Sequence, residues 1–144
     1  MKRNLIKSLT LLIAVGMAAS IGHAGKGGGQ GKPAGNSGGS TMALVMYTDI
    51  NGDGLPNYGD TITFDVSTTA TAVPVVSLTC SQNGVEVLHG KGDFFDGSFF
   101  SWTRLMKLSS QAWTGGAADC TAVLGYDGRH GLVSLSTLNF HVAD

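Results

Sequence analysis

Asp49, Asn51, Asp53, Asn57 and Asp60 occupy positions 1, 3, 5, 9 and 12 of the stretch Asp49-Ile-Asn-Gly-Asp-Gly-Leu-Pro-Asn-Tyr-Gly-Asp60, with Gly54 at position 6. That is the ligand spacing of a twelve-residue calcium loop, closed by Asp rather than Glu. In such a loop Asp49, Asn51 and Asp53 present side-chain oxygens to one ion, Leu55 contributes its carbonyl, and Asp60 completes the shell. Three carboxylates within one short loop repel each other, and a divalent cation relieves that repulsion. Gly54 allows the sharp turn that gathers the oxygens. Two features depart from the usual loop: Asp60 is shorter than a bidentate Glu, and Pro56 stands where a backbone N–H is normally used. The same residues also read as plain turn formers, because Asn-Gly, Asp-Gly and Asn-Tyr-Gly-Asp all favour turns. Both readings stand at this level: a structural calcium ion, or a turn alone.

Catalytic chemistry has little to build on. His89, His130 and His141 are scattered without the spacing of a zinc site. Gly97-Ser-Phe-Phe lacks the second glycine of a nucleophile elbow. Asp93 and Asp96 are the one carboxylate pair in reach of glycosidase-type chemistry, and they sit among loop residues. The expectation is therefore a chain that is not an enzyme. Phe94, Phe95, Phe99, Phe100, Trp102 and Trp113 form an aromatic group. Exposed rings stack on sugars, so Phe95, Phe100, Trp102 and Trp113 are the candidate ligand-contacting aromatics; core packing is the alternative use for the same rings.

The elements that position these residues read as strands. Met42 to Thr48 leads into the acidic loop. Thr61 to Thr69 leaves it, with Ile62, Phe64 and Val66 facing one way and Thr61, Thr63 and Asp65 the other. Val73 to Cys80 puts Val76, Leu78 and Cys80 on one face, and Asn83-Gly84 turns it into Val85 to Leu88. The middle is irregular, with a short strand expected within Thr103 to Leu108. Asp119 to Tyr126 aligns Cys120, Ala122, Leu124 and Tyr126, and Leu132 to Val142 returns. The apolar parity of that last strand shifts between Leu135 and Leu138, which predicts a bulge near Ser136-Thr137. Seven or eight short strands with a turn about every ten residues predict an all-β sandwich.

Cys80 and Cys120 are the only cysteines, each in an apolar alternation, and are expected to form a disulfide in an oxidising compartment. The strand order resembles the immunoglobulin-like modules of bacterial secreted and surface proteins, in which an Asp-x-Asn-Gly-Asp-Gly…Gly-Asp turn feeds a strand such as Thr61-Ile-Thr-Phe64. Trp113 to Leu124 followed by Leu138 to Val142 resembles the closing strands of such a module. The likeness covers Thr41 to Asp144 and implies an immunoglobulin-like β-sandwich with a structural or binding role. Antibody-type domains differ: their cysteines lie further apart, with a Tyr two residues before the second and a Trp beside the first. The departure here implies that Cys80 and Cys120 join neighbouring strands instead of pinning the two sheets.

The chain opens with Lys2, Arg3 and Lys7 and an apolar run from Leu11 to Ala19, followed by the small-x-small end Gly22-His23-Ala24. These residues predict a signal peptide over 1–24, and the run is too short to span a bilayer. Half of Gly25 to Ser40 is glycine, which predicts a flexible leader ahead of one domain over 41–144. Export changes the charge. The whole chain has a net of −1; without Lys2, Arg3 and Lys7 six basic residues face ten acidic ones, a net of −4. No basic stripe exists, so nucleic acid is not an expected partner, and no downstream run has membrane length. The expected product is a secreted, extracellular or periplasmic module with a protein or glycan partner, serving as a structural or binding module, a carbohydrate-binding module, or an enzyme accessory or inhibitor.

Overall fold

The computed structural model describes residues 33–34, 39–98 and 101–144; the predicted signal peptide, most of the leader, and Phe99 and Phe100 lie outside the described residues. The fold is a β-sandwich of two antiparallel sheets, with one single-turn 3-10 helix, Ser101–Arg104, among the described residues. The strands are β1 (Pro33–Ala34), β2 (Thr41–Thr48), β3 (Thr61–Ser67), β4 (Val75–Gln82), β5 (Val85–Asp93), β6 (Met106–Lys107), β7 (Ala118–Gly128) and β8 (Gly131–Val142). One sheet has the order β2-β3-β6 and the other β1-β8-β7-β4-β5.

Alternation along the strands produces the core. Ile62 and Phe64 from β3, Val76, Leu78 and Cys80 from β4, Ala122 and Leu124 from β7, and Leu138, Phe140 and Val142 from β8 are all buried between the sheets. The polar alternates face out: on the larger sheet Thr79, Thr121 and Asn139 are cross-strand neighbours, and Thr121 Oγ1 donates to Asn139 Oδ1 at 2.8 Å. The β4–β5 hairpin closes at Asn83-Gly84, whose φ angles of 51° and 79° are those a two-residue type I′ turn requires. Cys80 and Cys120 are register partners on adjacent strands β4 and β7, disulfide-bonded with Cα atoms 4.0 Å apart. The link therefore lies within one sheet.

The expected bulge in the last strand is present. Leu124 pairs with Ser136 and Gly125 with Ser134, so Leu135 is the extra residue, and both Leu135 and Ser136 are buried. Two boundaries differ from expectation. The fourth strand continues past Leu88 to Asp93. The leader is also not wholly outside the fold: Pro33 and Ala34 pair with Leu138 and Thr137, and Ser40 is buried with its hydroxyl 2.7 Å from Thr68 Oγ1. An X-Pro at a sheet edge is tolerated because the missing N–H can face away from the ladder.

Candidate functional site

The acidic loop spans the connection from β2 to β3, and its second half is docked on both sheets. Tyr58 N donates to Ala143 O and Ala143 N to Pro56 O, each at 2.9 Å, just beyond the end of β8. Gly59 N donates to Leu108 O at 2.9 Å and Leu108 N to Asp60 O at 2.8 Å, just beyond β6. Tyr58 packs edge-on against the buried Trp113, ring centroids 5.5 Å apart, and its hydroxyl donates to Trp113 O at 3.1 Å. The loop is thus a clip across one end of the sandwich.

Within its first half, Asp49, Asn51 and Asp53 each capture backbone N–H groups further along. Asp49 accepts from Gly52 N and Gly54 N, both at 2.7 Å; Asn51 Oδ1 accepts from Asp53 N at 3.2 Å; Asp53 Oδ1 accepts from Leu55 N at 2.8 Å. Gly54 has φ of 76°, a left-handed conformation that a side chain would strain. Asp60 is fully buried, and its two oxygens accept from Ile50 N and Asn57 N, both at 2.9 Å. It clasps the two halves of the loop from inside. Each oxygen of Asp60, the residue expected to close an ion shell, accepts one backbone N–H here.

The oxygens that converge are those of Asn51, Asp53 and Leu55. Asn57 Nδ2 lies 3.4 Å from Asn51 Oδ1, 3.0 Å from Asp53 Oδ1 and 2.9 Å from Leu55 O. Three acceptors face one amide nitrogen that carries two hydrogens, so the spot is rich in negative potential. The Asp53 carboxyl is held below the ordinary Asp range, chiefly by the Leu55 N–H, with the Asn57 and Asn51 amides acting in the same direction. Among the described residues no three His, Cys, Asp or Glu side chains come together as a metal cluster; the converging set consists of one carboxylate, one amide oxygen and one carbonyl. Asn57, the position 9 residue, belongs to the ligand spacing and lies at the centre of the converging oxygens.

The aromatics divide. Trp113 is fully buried with its indole N–H on Gly116 O at 2.9 Å, so it is a core residue and not a ligand contact. Its place in a turn after Gln111-Ala hid that burial from the sequence. Trp102 is exposed (65%) on the 3-10 turn, Phe95 is half-buried in the loop after β5, and Phe100 lies outside the described residues. Of the two carboxylates weighed for catalysis, Asp93 accepts from Ser98 Oγ at 3.2 Å, and Asp96 faces solvent.

Against protein-family models, curated proteins and solved structures, the chain matches nothing.

Proposed function

We propose that this chain is an exported, non-catalytic, immunoglobulin-like module of the cell surface or periplasm, with a structural or binding role, and that its 49–60 loop takes one structural calcium ion. The immunoglobulin-like reading is supported by the strand order. One sheet holds the first, second and fifth strands of the domain (β2, β3, β6), and the other runs β8-β7-β4-β5. The intrasheet disulfide is compatible with export. Among the described residues no helix is long and apolar enough to cross a membrane.

The observation that carries the calcium reading is the convergence of Asn51 Oδ1, Asp53 Oδ1 and Leu55 O on one point at the Asn57 amide. The donor set fits a hard cation that prefers carboxylate, amide and carbonyl oxygens. Asn51, Asp53 and Leu55 would hold the ion, and Asn57 would join them by turning its amide to present oxygen. Asp49 supplies charge from the same loop, and Asp60 keeps the loop's shape. Asp53 is ionised at neutral pH like any carboxylate, and the hydrogen bonds that lower its pKa extend that charge to more acidic conditions. Because the loop touches both Leu108 and Ala143, an ion there would tie the two sheets together at one end.

Affinity should lie in the range of extracellular modules, about 10⁻⁴ to 10⁻³ M. Millimolar calcium would then stabilise the fold by about 0.5–1.5 kcal/mol, raising the melting temperature by a few degrees. Asp53→Ala should abolish that rise. Scanning calorimetry with calcium and with chelator tests it: identical wild-type melts would leave the loop as a turn only.

A further inference from the structure

Two glycines interrupt β5 on its core-facing side, and packing accounts for only one of them. Gly90 and Gly92 pair with Leu78 and Val76, both fully buried on β4, so each stands where an inward side chain would otherwise complete the core. At Gly92 a Cβ would lie 2.5 Å from the Thr103 carbonyl oxygen, so backbone already fills the place. At Gly90 a Cβ would meet only Met106 Sδ, at 4.0 Å, and the backbone there is not left-handed. Neither conformation nor packing requires a glycine at that position. Glycine inside a strand otherwise marks the close approach of a ligand or of another backbone. What the missing side chain leaves is a groove of about 320 Å³ between β5 and the segment that runs from the 3-10 turn into β6.

The groove is apolar within and cationic at its mouth. Leu78, Leu88 and Met106 line its floor, and the exposed Trp102 and Leu105 form a wall. Lys91 and Lys107 stand at the rim, and no Asp or Glu lines the groove among the described residues. Lys91 is already paired with Asp127, Nζ to Oδ1 at 2.6 Å. Lys107 Nζ makes no hydrogen bond or ion pair among the described residues, so its ammonium is open to an anion. Arg104, between two lining residues, spends its charge on the carbonyls of Asp93 and Phe95. Three of the six basic residues beyond position 24 thus gather around this groove, in a stretch of chain whose net charge is −4. The local charge runs against that of the molecule and selects an anionic partner.

From these observations we infer a binding site for a small apolar carboxylate, with its hydrocarbon body in the groove and its carboxylate on Lys107. A concave, mainly apolar lining with one or two placed charges is the usual make-up of a small-molecule site. The Trp102 ring offers the body a flat face, which favours an aryl group. The volume equals about eleven liquid waters, room for a ligand of about ten non-hydrogen atoms. A partner's strand does not fit, because the β5 edge is already used: Val87 O accepts from Ser110 Oγ, and Asp93 N donates to Thr103 Oγ1. Nothing in this site depends on calcium in the 49–60 loop.

The site is tested on the wild-type protein, in chelator, by ¹H–¹⁵N correlation spectra during titration with 3-phenylpropionate. Neutral 3-phenylpropanamide, of the same shape, and acetate, which lacks the apolar body, are the controls. The expected result is a saturable shift of the Trp102 indole N–H and of the amides over 88–91 and 105–107, at millimolar ligand. The amide should bind about three- to fivefold more weakly, the worth of an exposed ion pair, and acetate should cause no saturable shift. Lys107→Gln should weaken the acid by the same factor and leave the amide unchanged. Gly90→Val, which fills the groove, should remove binding of both; Lys107→Gln, a change at an exposed side chain, decides the matter even if that variant fails to fold. Absence of a saturable shift in those segments at tens of millimolar 3-phenylpropionate would overturn the proposal. So would equal affinity for acid and amide, or full affinity for the acid in Lys107→Gln. Shifts of the same amides on diluting the protein without ligand would show that a second copy of the chain fills the groove, which also overturns it.

Discussion

At the residue scale, the side chains that stand out are buried polar ones, and they divide by whether they are satisfied. Asp60 is fully buried with both oxygens on backbone N–H groups, so its charge organises the loop. Ser136 is the opposite case: 2% exposed, with a hydroxyl that finds no hydrogen-bond partner among the described residues. A buried hydroxyl left unpaired loses its hydration without recompense, at about 1–3 kcal/mol. Ser136→Ala should therefore leave stability unchanged or raise it by about 1 kcal/mol in urea denaturation. A clear loss would mean that the hydroxyl has a partner, such as a bound water. The residue sits at the bulge of β8, where Leu135 and Ser136 both turn inward, so the unpaired hydroxyl follows from the extra residue rather than from the alternation.

At the scale of elements, what the sequence made legible is what alternation and turn chemistry encode. β3, β4, β7 and β8 lie where apolar residues alternate, the β4–β5 turn lies where Asn83-Gly84 stands, and the parity shift after Leu135 located the bulge. The loop spacing likewise marked Asn51, Asp53 and Leu55, which do converge, whereas the clasp made by Asp60 depends on N–H groups that no side-chain pattern reveals. The sequence predicts an end at Leu88 for β5, because His89-Gly-Lys-Gly-Asp93 has no apolar alternation to extend it, yet the strand runs to Asp93. Its reason is tertiary. A Cβ built on Gly92 would lie 2.5 Å from the Thr103 carbonyl oxygen, so glycine there lets the 3-10 turn lie directly on the strand. The chain then crosses between the sheets to reach β6, two residues long and beyond the reach of any periodicity. Gly92→Ala should destabilise the fold by about 1–3 kcal/mol. Gly90→Ala, whose added carbon would meet nothing closer than Met106 Sδ at 4.0 Å, should change it by less than about 0.5 kcal/mol. Paired urea melts decide this, and equal effects at the two positions would refute the close approach at Gly92.

At the scale of the whole molecule, the disulfide lies inside the larger sheet close to the end that carries the acidic loop: Cys120 pairs with Phe140, three residues before the Ala143 on which the loop docks. Its position determines what it can contribute. Cys80 and Cys120 face each other near one end of a ladder that already pairs Val75 through Ser81 with Gly125 through Asp119. The covalent bond is therefore redundant for register, and its stabilisation comes from restricting the unfolded chain. For a sequence separation of 40 that amounts to about 4 kcal/mol in the loop-closure account. A domain of this size typically has about 5–15 kcal/mol in hand, so the double replacement Cys80→Ala, Cys120→Ala should remain folded at 25 °C. Its urea midpoint should fall while the amides of β4 and β7 keep their protection in hydrogen exchange, because the hydrogen-bonded ladder, not the sulfur bridge, holds the two strands in register. Loss of protection confined to β4 and β7 under native conditions would reverse that assignment, and the bridge would then be what sets the pairing of the central strands.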